Sequence, residues 1–134
     1  MKNLEYIPGD LVKFATNTYT IVNFEENFLH EKICYDLIST NSTKTAFVAD
    51  RDILPIPLTP EILEKNGWRT QNRWYYYLDV AEGFISYIGI DFKHKSNKGH
   101  LYVEVNGNNM VEIQYCHELQ HFLFGLGLKQ KMEV

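Results

Sequence analysis

Cysteine is scarce in this sequence: Cys34 and Cys116 are the only two among 134 residues. Two thiols do not build a disulfide framework, and both stand in apolar-patterned stretches, the usual setting of buried free thiols. Positive charge is also short. Thirteen Lys and Arg face 17 Asp and Glu, for a formal net charge of −4. That balance excludes a broad electrostatic footprint on nucleic acid and leaves room only for a local patch. No apolar run approaches the length that crosses a bilayer, and Met1-Lys2-Asn3-Leu4-Glu5 has no apolar signal-peptide core. The expectation is a cytoplasmic protein without membrane contact. P-loop, dinucleotide-binding glycine motif, Ser nucleophile elbow, internal repeats and low-complexity tracts are all missing, and no cofactor is expected.

What is present is an ordinary folded composition, 45% hydrophobic and 22% charged, with aromatics raised to 14% by nine Tyr and eight Phe. The length suits one compact domain or two small ones. Short runs of β-formers recur early: Gly9–Phe14, Tyr19–Phe24, Lys32–Ile38, Lys44–Val48 and Asp52–Leu54. Turn-forming links separate them, Glu25-Glu26-Asn27 among these. Five short strands in about 50 residues fit a small closed barrel of SH3-like type, which removes exposed edges. Pro55-Ile56-Pro57-Leu58 is extended, because proline blocks helix and biases its predecessor to extended geometry. Thr59 then caps a short helix with Pro60 in its first turn and Gly67 as its stop.

Four strands follow, Trp74–Leu78, Phe84–Phe92, Leu101–Val105 and Met110–Tyr115, with Asn106-Gly107 as a hairpin signal. Short links imply an antiparallel meander. Alternation places Trp74, Tyr76, Leu78, Ile88, Ile90, Phe92, Leu101, Val103, Val105, Val111 and Ile113 on one apolar face. A C-terminal helix with the stripe Leu119, Phe122, Leu123 and Leu126 is expected to cover that face. The predicted fold is thus α+β. An SH3-like β-barrel over residues 1–58 precedes a helix, four-stranded meander and helix over residues 59–134.

Two patterns carry chemistry. His117-Glu118-Leu119-Gln120-His121 spells H-E-x-x-H, in which two His one helical turn apart hold zinc and Glu serves as general base. Catalytic zinc needs a third protein ligand. Position 127 is Gly rather than His, and only Glu133 follows. Nothing marks His30, His94 or His100 as that ligand. The favoured reading is a helix face carrying two His, with no metal. The second pattern is the other meander face, where Tyr75, Tyr77, Tyr87 and Tyr102 alternate with Asp91, Glu104 and Glu112. Tyrosines on a polar sheet face form either a base-stacking platform or a protein-binding patch. Tyr also simply favours strands. The carboxylates weigh against phosphate.

The stretches Ile53 to Trp68 and Tyr115 to Phe124, with Gly9-Asp10-Leu11-Val12, resemble a group of small proteins carried by phages, prophages and mobile elements of gut anaerobic bacteria. The resemblance covers most of the chain. In that group the position of His121 is often an amide and that of Glu118 an amide in some members. The resemblance therefore implies a structural helix and supplies no catalytic residues. The expected function is non-enzymatic binding of a protein partner, a host or phage factor. A nucleic-acid binder using the tyrosine face ranks second, and a zinc hydrolase through His117, Glu118 and His121 third.

Overall fold

The computed structural model describes residues 5–27 and 32–134. The chain forms two compact units, residues 1–56 with 115–132, and residues 57–114 with 133–134. Among the described residues the fold is mostly β, with two antiparallel sheets and two α-helices.

The first unit holds β1 (Leu11–Phe14), β2 (Asn17–Asn27), β3 (Lys32–Ser39) and β4 (Thr45–Ala49), paired in that order. β2 runs on through Glu25-Glu26-Asn27, which the sequence pattern assigned to a turn. The expected fifth strand is instead a 3-10 turn over Asp50–Asp52, followed by a single bridge between Lys13 and Leu54. Both bridge hydrogen bonds form, at 2.9 and 2.8 Å. Pairing of this sheet ends after Leu54, where Pro55 has no N–H to donate. The sheet therefore stays open, and the SH3-like barrel does not close. Its core is Tyr6, Val12, Tyr19, Ile21, Ile33, Tyr35, Leu37, Val48 and Ile53.

The last helix, α2 (Cys116–Gly125), belongs to this first unit rather than to the meander it was expected to cover. Gln120 explains the placement. Its side-chain oxygen accepts the Leu11 N–H at 2.9 Å, and its amide donates to the Gly9 and Gln130 carbonyls at 3.0 and 2.9 Å. A fully buried, fully bonded amide ties the helix to the start of β1, where the buried Leu11 N–H would otherwise lack this partner. The helix buries Cys116, His117, Leu119, Gln120 and Leu123. Phe122 and Leu126 of the expected stripe are only half-buried.

The second unit opens with α1 (Pro60–Lys65). Thr59 accepts the Ile62 N–H at 3.3 Å, Pro60 needs no donor, and Gly67 takes the left-handed φ of 86° that ends the turn. Five strands follow in order: β5 (Arg69–Thr70), β6 (Tyr75–Glu82), β7 (Ile85–Asp91), β8 (Leu101–Val105) and β9 (Asn108–Ile113). β5 adds a strand that the sequence pattern did not show. Asn106 and Gly107 both take positive φ, 51° and 87°, the backbone of a type I′ hairpin. Tyr76, Ile88, Ile90, Leu101, Val103 and Ile113 are buried as alternation required. Val111 is exposed, since β9 is the sheet edge and slips register beside it.

Among the described residues no helix is long and apolar enough to cross a membrane.

Candidate binding face on the second sheet

The register of β6, β7 and β8 sets the tyrosine face. Tyr75 pairs with Asp91 and Asp91 with Tyr102, giving one row. Tyr77 pairs with Gly89 and Gly89 with Glu104, giving the next, while Tyr87 stands opposite Asp79. Odd-numbered positions of β6 and β7 and even-numbered ones of β8 thus point the same way. Tyr75, Tyr77, Tyr87 and Tyr102 are all half-exposed there.

Tyr75 does not lie open as a stacking platform would. The Tyr75 ring crosses Gly89, where a Cβ would run into its phenol oxygen. Its hydroxyl hydrogen-bonds Glu104 and Tyr87. Burial, with the Glu104 charge beside it, pushes the Tyr75 phenol well above the usual range. Glu104 is also pushed up, first by burial and then by the Asp91 charge, with the Tyr75 hydroxyl opposing. Asp91 behaves differently. Burial raises it, but the His94 N–H at 2.9 Å, the His94 ring at 2.9 Å and the Lys93 N–H at 2.8 Å hold it below the usual carboxylate range. Among the described residues Asp91 thus has three donors, whereas Glu104 has the Tyr75 hydroxyl.

Beside this network lies an open concavity of about 350 Å³ lined by Asp91, His94, Tyr102, Glu104 and the residues Gly107 to Asn109. At the far end of β6 and β7, Phe84 stands at the hairpin tip, 99% exposed. The Asn106 side chain holds that tip, donating to the Phe84 carbonyl at 2.8 Å and accepting the Ser86 N–H at 2.8 Å. The sequence pattern treated Phe84 as the start of a strand. Gly83, with φ of 61°, is the signal that places it in a turn.

The H-E-x-x-H residues lie in the first unit and do different work. Glu118 accepts the Tyr115 N–H at 3.0 Å, closing the first turn of α2 as a capping-box residue does. His117 is buried, with Tyr6 4.8 Å away and Tyr115 stacked at 5.9 Å, ring centre to ring centre. Burial pushes its imidazole down to about 4. His121 turns its Nε2 to the buried Asp10 carboxylate at 2.6 Å. Asp10, which spacing arguments did not single out, also accepts the Ile7 N–H at 2.9 Å. The two imidazoles meet edge to face at 5.6 Å. Among the described residues no three His, Cys, Asp or Glu side chains gather as a metal-ligand set. His94 and His100 sit in the second unit, and His30 lies outside the described residues.

No family model, curated protein or solved structure matches the chain.

Proposed function

We propose that this chain is a non-enzymatic binding protein that engages a protein partner through the tyrosine-bearing face of β6, β7 and β8. The observation that carries the reading is four half-exposed tyrosines on one sheet face beside an open concavity. Aromatic side chains that keep a polar tip in water are favoured in protein interfaces, because they bury large area at low entropic cost. Asp91 and Glu104 line the concavity, so the face repels phosphate and favours a protein over a nucleic acid. The resemblance to proteins of phages and mobile elements supports a host or phage factor as the partner, met in the cytoplasm.

The zinc-hydrolase reading is disfavoured by the employment of Glu118 as a helix cap and of His121 by Asp10. The test is affinity capture of partners from a gut anaerobe with an untagged-histidine version of the chain, compared with Tyr87→Ser/Tyr102→Ser and with Phe47→Ser on the other sheet. Loss of a captured protein in the double variant alone is expected. Equal capture by all three contradicts the proposal, and nuclease-sensitive capture moves the reading to nucleic acid. One equivalent of zinc that disappears on His121→Asn revives the hydrolase.

A further inference from the structure

The tyrosine face already holds one guanidinium. Arg69 lies over the Tyr77 ring at 5.2 Å and pairs with the Asp79 carboxylate. A tyrosine ring below and a carboxylate beside the cation form its complete receptor, combining ring quadrupole and ion pair. Among the described residues the same groups recur two strands away without a guanidinium, the His94 ring pairing with Asp91 at 2.9 Å instead. Tyr102 stands next to Asp91 in register, and Glu104 is Asp91's diagonal neighbour, a spacing of roughly 7–8 Å between such positions. These three line the concavity. Among the described residues no Lys or Arg pairs with Glu104 or lies over Tyr102: Lys93 is over Trp74 at 5.3 Å, and His94 is hydrogen-bonded to Asp91. Asp91 is already bonded by the Lys93 and His94 N–H groups and the His94 ring, so in this concave site it is Glu104, beside the Asp91 charge, that calls for a positive charge from outside.

We propose that the concavity between Tyr102, Asp91 and Glu104 receives the guanidinium of an arginine on the protein partner. Asn108 and Asn109 at its rim provide amide oxygens for the remaining N–H groups. The planar fork of arginine suits a ring and a carboxylate better than the point charge of lysine. This inference rests on the proposed protein-binding function and adds the chemistry of the contact.

The probe is N-acetyl-arginine amide, titrated into the full chain and followed by amide and side-chain NMR shifts. Saturable shifts confined to Asp91, Tyr102, Glu104 and the Asn106 to Asn109 turn are expected. N-acetyl-citrulline amide, the neutral isostere, should bind about tenfold or more weaker, the factor for losing a charge-assisted hydrogen bond. Glu104→Gln, which keeps an acceptor for Tyr75, should weaken arginine binding by a similar factor, and Glu61→Gln on α1 should leave it unchanged. Equal binding of citrulline, indifference to Glu104→Gln, or shifts spread over unrelated carboxylates would overturn the inference. If the arginine probe fails while Tyr87→Ser/Tyr102→Ser still abolishes partner capture, the concavity is not the anchor but the binding face stands.

Discussion

On the four-stranded sheet Tyr19 and Tyr35 point inward and are 2% and 1% exposed, with Tyr6 packed edge-on to Tyr35 at 5.6 Å. On the five-stranded sheet Tyr75, Tyr77, Tyr87 and Tyr102 are half-exposed and share their face with Asp91 and Glu104. Both sheets therefore spend tyrosine heavily, one as core and one as surface. The difference follows from what stands beside each ring. Ile21, Ile33, Leu37 and Val48 surround the first group, while carboxylates alternate with the second. High tyrosine content alone does not tell core from surface; its neighbours in register do.

The largest effect should come from emptying the first unit. Tyr35→Ala, or Leu119→Ala on α2, is expected to cost about 3–5 kcal/mol in urea unfolding, as emptied core sites do. A loss near zero at Tyr35 would erase the contrast between the sheets. Next comes pH. His117 has a folded pKa of about 4 against an ordinary 6.5, so the unfolded chain takes up the proton first. Its contribution is fully present above about pH 6.5 and is lost as pH falls towards 4, a difference of about 3 kcal/mol. Asp10, pushed up mainly by burial, works in the opposite sense, since protonation favours the folded chain there. Stability measured from pH 7 to pH 4 should therefore fall less in His117→Gln than in the parent chain, and parallel curves would refute the assignment.

A smaller loss is expected for His121→Leu, about 1–3 kcal/mol, because it strips the buried Asp10 carboxylate of a donor. His121→Asn should lose less, since an amide can still donate to Asp10. Thermal unfolding of the two variants side by side checks the order. Smallest of all, Tyr102→Ser should change stability by about 1 kcal/mol or less, the range for sites outside the core, while weakening partner capture. A core-sized cost would show that this face is buried after all.

Local chemistry was legible in the sequence. Thr59 and Pro60 announced α1, Asn106-Gly107 announced a hairpin, and alternation found the buried face through Tyr76, Ile88, Ile90 and Val103. Long-range choices were not. The destination of α2 depends on Gln120 meeting Gly9 and Leu11 more than a hundred positions earlier, which no local period records. The barrel failed to close because Asp50–Asp52 turned into 3-10 geometry and Pro55 ended the pairing of this sheet after Leu54. The H-E-x-x-H spacing was visible, but its use was not. Glu118 is satisfied by its own helix terminus and His121 by Asp10, a partner outside the motif. The tyrosine face was readable as a face. Its concavity needed the register of β7 and β8 and the turn at Gly107.

The most direct test of the proposed binding face is hydroxyl-radical footprinting of the chain, free and bound to a captured partner, read by mass spectrometry residue by residue. Tyr75, Tyr77, Tyr87 and Tyr102 should be oxidised in the free chain and protected in the complex, with Tyr6, Tyr19 and Tyr35 unreactive in both. Protection confined to Phe47 and Val22 on the first sheet, or to Phe124 on α2, would place the interface elsewhere and contradict the proposal.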